Sequence, residues 1–99
     1  HMRASLDVLY PLLSDGGLYI VEDLHACYWR AYGGGFQRPG SFIEDVKVLI
    51  DDLHHWYHDR GQTIAAASGH LGAIHVYDSV VVLEKIAVTP PRHSRRGQE

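Results

Sequence analysis

The chain has 99 residues, 45% hydrophobic and 21% charged, the composition of an ordinary soluble globular protein with one domain at most. Its net charge of −3 is uneven: six Lys/Arg against eleven Asp/Glu give −5 over residues 1–91, while Arg92, Arg95 and Arg96 against Glu99 give +2. An acidic body argues against a nucleic-acid surface, and no apolar run reaches the length of a bilayer span. The single cysteine, Cys27, excludes an internal disulfide framework; with no signal peptide legible, the expected compartment is the cytoplasm.

His1-Met2 reads as a cloning scar, with the folded region expected over 3–88 and a flexible basic tail over 89–99. Leu6, Leu9, Leu12 and Leu13 lie at helical spacing, with Ser5 placed to cap, and Pro11 predicts an end or kink near Leu9–Tyr10. Ser14-Asp15-Gly16-Gly17 is a turn. Leu18–Val21 follows as a short, nearly continuous apolar strand, the pattern of a strand covered on both faces. Leu24 to Arg38 lacks periodicity and contains Gly33-Gly34-Gly35, so a mobile loop is expected, with one helical turn around His25–Trp29.

Ser41-Phe42-Ile43-Glu44 is a capping-box pattern. The helix it opens carries Phe42, Ile43, Val46, Leu49, Ile50, Leu53, Trp56 and Tyr57 on one broad face and ends at Gly61. Residues 71–77 and 80–86 are β-prone runs joined by Asp78-Ser79, and Pro90-Pro91 terminates them. Strands 18–22 and 71–77 flank a crossover helix and are therefore expected to be parallel, with one antiparallel strand added by the hairpin. Such a three-stranded sheet leaves strand edges and one face poorly covered, as if it belonged to a larger sheet.

The adjacent acids Glu22 and Asp23, delivered at the end of a strand, are the best site candidates, since open α/β sheets hold ligands there. The competing reading is that one of them caps the following turn. His25, Tyr28, Trp29 and Tyr32 are candidates for a substrate-facing wall or lid, with the three glycines letting the loop close; the competing reading is that Trp29 and Tyr32 simply cover the sheet edge. His54 and His58 stand at i, i+4, but a zincin needs Glu where His55 stands, and Asp51, Asp52 and Asp59 suggest a solvated polar face. Cys27 is expected to be inert packing.

The segment LYPLLSDGGLYIVEDLHACYWRAYGGG, with the hairpin IHVYDSVVVLEK, resembles the class I S-adenosylmethionine-dependent methyltransferases of the macrocin and mycinamicin sugar O-methyltransferase type, together with cephalosporin hydroxylase-like proteins. The resemblance covers nearly all of residues 3–87. It rests on the strand-end acidic pair, the Tyr-Trp followed by glycines, and the Tyr-Asp-Ser turn. It implies an α/β fold: a partial Rossmann-like methyltransferase sheet, one parallel crossover plus a C-terminal antiparallel hairpin, with two main helices. In that fold the last strand is inserted beside the sixth.

The resemblance further implies that Glu22 and Asp23 help hold Mg²⁺ and that the aromatics meet a sugar or polyketide-glycoside acceptor. The family's glycine-rich cofactor loop and its Asp-x-x-His element have no counterpart here. The chain therefore resembles the C-terminal half of such an enzyme, with S-adenosylmethionine and Mg²⁺ serving the parent. This implies a chain inactive alone, awaiting its N-terminal half or forming a homo-oligomer, with no nucleic-acid or membrane partner. Two other readings stand beside it: a non-enzymatic dimerisation module using the unpaired sheet edge, and a stand-alone metal-binding domain.

Overall fold

The computed structural model describes residues 1–90; the basic tail expected over 89–99 falls outside them but for Thr89 and Pro90. Helix α1 spans Met2–Leu9 and tightens into a 3₁₀ turn over Tyr10–Leu12, where Pro11 lacks the N–H that an α-helix would need. Ser5 lies inside α1 rather than at its start. Only Leu6 of the four spaced leucines is fully buried; Leu9 and Leu12 are exposed, and Tyr10 is the second anchor. Met2 is helical and packs against the core.

Strand β1, Leu18–Val21, follows the turn at Gly16, whose φ of +89° suits glycine. Helix α2 runs Phe42–Leu53. Ser41 does stand at its N-cap position, but its side chain makes no capping bond, and Glu44 pairs with Lys47 at 2.7 Å instead. The expected helix to Gly61 stops eight residues early, so Trp56 and Tyr57 sit in a separate 3₁₀ turn, His55–Tyr57.

The histidines explain that stop. Ring nitrogens of His54, His55 and His58 lie 2.7, 2.9 and 2.8 Å from the carbonyls of Ile50, Asp52 and Asp51, so imidazoles take the acceptors that a further helical turn would have used. Asp52 is buried, not part of a solvated face. Its two carboxylate oxygens accept the backbone N–H groups of Thr63 and Ile64, each at 2.8 Å, tying the return connection to the helix end.

Strands β2, Leu71–Tyr77, and β3, Val80–Lys85, form the hairpin. The sheet order is β1-β3-β2, and β3 is antiparallel to both neighbours. β1 and β2 therefore run parallel, as the crossover requires, but β3 lies between them. Register pairs Ile20 with Val82 and Val82 with His75, and Val21 with Val81 and Val81 with Val76.

One face of this sheet, with Val21, Val81 and Leu83, joins Leu6, Tyr10, Leu24, Phe42, Val46, Leu49 and Ile64 in the core. The opposite face is open: Leu18 and Ile20 are more than half exposed, so β1 is covered on one side only among the described residues. Lys85 is buried, with its ammonium donating to the carbonyls of Tyr10, Pro11 and Leu13 at 3.1, 2.9 and 2.6 Å. Among the described residues no helix is long and apolar enough to cross a membrane.

Candidate active site

The C-terminal end of β1 delivers Glu22 and Asp23 to the surface, both exposed. Asp23 takes a left-handed conformation, φ +60°, tolerable for Asp, and this turns the chain sharply into the 3₁₀ segment Leu24–Tyr28. Its side chain makes no capping bond there, so the capping explanation of the pair is not realised. Neither carboxylate has a hydrogen bond or ion pair among the described residues, which leaves four hard oxygen acceptors facing solvent.

Those oxygens are the right donors for Mg²⁺, which favours carboxylates and retains waters. No group of three His, Cys, Asp or Glu side chains that could hold a metal ion occurs among the described residues. The pair therefore fits as a partial ligand set, completed by water or by groups outside these residues. The histidines after α2 form no such group either; ring nitrogens of His54, His55 and His58 instead lie against the carbonyls of Ile50, Asp52 and Asp51.

The segment after Asp23 is more ordered in its hydrogen bonding than its glycines suggest. Leu24–Tyr28 and Arg30–Tyr32 are successive 3₁₀ turns. The N–H groups of Gly34 and Gly35 then donate back to the carbonyls of Trp29 and Cys27 at 2.9 and 3.0 Å. A Cβ at Gly34 would stand 2.2 Å from the Cys27 carbonyl oxygen, so this glycine permits close backbone packing. The loop thus folds back on its own first turn. Cys27 beneath it is buried, a packing residue as expected, with its sulfur 4.0 Å from that of Met2.

Three of the four wall candidates touch in sequence. The His25 and Trp29 rings are 4.8 Å apart, and Trp29 and Tyr32 stack at 6.0 Å with planes 28° apart. All are exposed; Tyr28 lies to one side, lining a hollow of about 310 Å³ with His25, Ile43, Tyr77 and Ser79. On the other side of the loop a cavity of about 610 Å³ is lined by Cys27, Tyr32, Gly34, Arg38, Ser41 and Phe42. At its rim Arg3 bonds Asp45 at 3.1 Å; burial raises the Asp45 carboxyl above its ordinary range and the arginine opposes that rise.

The Tyr77-Asp78-Ser79 hairpin turn carries no functional signal in the sequence beyond the resemblance. The structure brings it against the site: the Leu24 N–H donates to the Ser79 carbonyl at 3.0 Å, and the His25 N–H to the Ser79 hydroxyl at 3.2 Å. The available signal was the Asp78-Ser79 pair closing a two-residue turn between β-prone runs; Ser79 takes a left-handed φ of +65° there.

No family model matches the chain. The demethylmacrocin O-methyltransferase of Streptomyces fradiae is 36% identical over 90 residues, 86% of this chain and 23% of the relative. Over that span the chain is similar to part of the macrocin- and mycinamicin-type sugar O-methyltransferases. The L-olivosyl-oleandolide 3-O-methyltransferase of Streptomyces antibioticus is 38% identical over 86 residues, covering 80% and 22% of the two chains.

The structure of the MycE methyltransferase from mycinamycin biosynthesis, in complex with Mg, S-adenosylhomocysteine (SAH) and mycinamycin VI, superposes with a TM-score of 0.75 at 31% identity. That match covers 88% of this chain and 23% of MycE. The chain thus spans about a quarter of the relatives it matches, and its α/β fold is that of the corresponding portion of MycE.

Proposed function

We propose that this chain carries the metal-ligand pair and part of the acceptor wall of an S-adenosylmethionine-dependent O-methyltransferase acting on a sugar hydroxyl of a glycosylated natural product. The observation that carries this is the placement of Glu22 and Asp23, unpaired and exposed, at the end of β1 beside the His25–Trp29–Tyr32 stack, in a chain similar to sugar O-methyltransferases. In methyl transfer the acceptor oxygen bonds the methyl carbon as the carbon–sulfur bond breaks, and the hydroxyl proton leaves to a base. Mg²⁺, when bound, supplies Lewis acidity that favours the alkoxide.

The residues here contribute binding and orientation. Glu22 and Asp23 would hold the ion, while the aromatic faces of Trp29, Tyr28 and Tyr32 would align the sugar, and alignment supplies a large share of such rates. The cofactor loop and the base belong to the remaining three-quarters of an enzyme of this type, so the chain alone is inactive. We place its work in the cytoplasm, on a small glycoside acceptor. Calorimetry tests the division: S-adenosylmethionine gives no binding heat with this chain, and a measurable affinity would refute it. Millimolar Mg²⁺ raises the melting temperature of the chain, and Glu22→Ala with Asp23→Ala abolishes that rise.

A second reading, a dimerisation module, is favoured by the open sheet face at Leu18 and Ile20 and by the outer edge of β1, which has no strand partner among the described residues. Light scattering separates the two: a tight dimer that Ile20→Lys dissociates supports the module, whereas a monomer or a non-specifically associating species supports the partial enzyme.

A further inference from the structure

We propose that Ser79 is a positioning residue: its hydroxyl holds His25 so that the hollow between the two turns presents a preformed wall to one sugar ring of the acceptor. The proposal rests on the acceptor reading above for its ligand class, and on geometry alone for the positioning. Three contacts join the turns. The Ser79 carbonyl accepts the Leu24 N–H at 3.0 Å, its hydroxyl accepts the His25 N–H at 3.2 Å, and the same hydroxyl lies 2.5 Å from His25 Nδ1.

A serine oxygen that already accepts from a backbone N–H still has one proton to donate, and Nδ1 is the acceptor within reach. With Nδ1 held by the hydroxyl, Nε2 is the ring nitrogen left available to a ligand. The same contact also fixes the ring plane against Trp29, 4.8 Å away, which in turn stacks on Tyr32. Ordering thus begins at the hairpin turn and reaches His25, which lines the hollow and from there contacts the Trp29–Tyr32 stack beside it.

Both residues at the junction, Asp23 and Ser79, have left-handed backbones, φ +60° and +65°, a conformation that costs a non-glycine residue energy. Glycine would make the Ser79 turn at lower cost, so a purely turn-forming role does not account for serine there. The hollow has a volume of about 310 Å³, at the small end of ligand pockets, which suits a single monosaccharide rather than an aglycone. Its lining combines the apolar rings of Tyr28 and Tyr77 with the Asp78 carboxylate, the pairing of ring face and acceptor that a pyranose presents surfaces for.

The test compares Ser79→Gly and Ser79→Ala with the parent chain by NMR of the His25 imidazole protons, whose shifts carry the ring current of Trp29, and by titration with methyl rhamnoside. Both variants lose the hydroxyl and keep the carbonyl, while glycine relaxes the turn and alanine does not. The expected result is loss of the Trp29-induced shift in both, with the melting temperature of Ser79→Gly unchanged or higher and sugar binding weakened about fivefold or more, the worth of one hydrogen bond. An unmoved His25 shift in Ser79→Gly overturns the proposal, whatever the sugar does. A displaced ring in a chain whose parent form shows no response to methyl rhamnoside overturns the sugar assignment and upholds the positioning. Neither readout uses methyl transfer, so failure of the enzyme reading is recorded separately.

Discussion

Lys85→Met isolates the buried ammonium that joins β3 to the segment after α1. Lys85 is 7% exposed and donates to three carbonyls, those of Tyr10, Pro11 and Leu13. A hydrogen bond to a charged donor contributes about 1.5–3 kcal/mol, so three at the lower value give roughly 4–5 kcal/mol. Burying the ammonium costs several kcal/mol in return, and methionine recovers the packing of the stem while leaving the Pro11 and Leu13 carbonyls unmatched (the Tyr10 carbonyl keeps the Leu13 N–H at 3.1 Å), for a net loss of about 2–4 kcal/mol.

For a domain of this size that loss lowers the melting temperature by about 10–25 °C. Urea denaturation followed by far-ultraviolet circular dichroism measures it directly, with an unchanged m-value showing that the effect lies in the folded state. A Lys85→Met chain as stable as the parent would refute the argument, because it would mean that desolvation cancels all three bonds.

Tyr10 gives a pH dependence. Burial, with the charge of Asp15 as the second cause, pushes its phenol up to about 12. A folded value above the unfolded one adds stability that is whole below pH 10 and lost as pH rises toward 12, a loss on the order of 2 kcal/mol in denaturation at alkaline pH, removed by Tyr10→Phe. Asp52→Ala leaves the N–H groups of Thr63 and Ile64 unpaired and costs about 2–4 kcal/mol, with exchange protection of those two amides lost first. Gly34→Ala forces a methyl group against the Cys27 carbonyl and costs about 1–3 kcal/mol, with the change in Trp29 fluorescence exceeding that at Trp56.

Much of this molecule was legible in local pattern. The turn at Gly16, the strand Leu18–Val21, the helix start at Ser41 and the Asp78-Ser79 hairpin all appear where turn chemistry and periodicity put them, because those signals act over a few residues. The acidic pair at a strand end was equally local, since chain order alone sets Glu22 and Asp23 after Val21.

Tertiary contact decided the rest. Helix α2 stops at Leu53 because three imidazoles reach back to its last carbonyls, which no apolar periodicity announces. Lys85 in an apolar strand and Asp52 among polar neighbours are both buried because each meets backbone groups distant in sequence. The glycines after Tyr32 suggested a hinge, yet Gly34 serves close approach to Cys27.

What the sequence by itself determined was therefore the order of the elements and the residue types at the end of β1. Only the fold could set β3 between β1 and β2 and bring Ser79 onto His25, 54 residues away along the chain. Pairing across such separations depends on loop closure and shared burial, and neither is written in the few residues on either side of a strand.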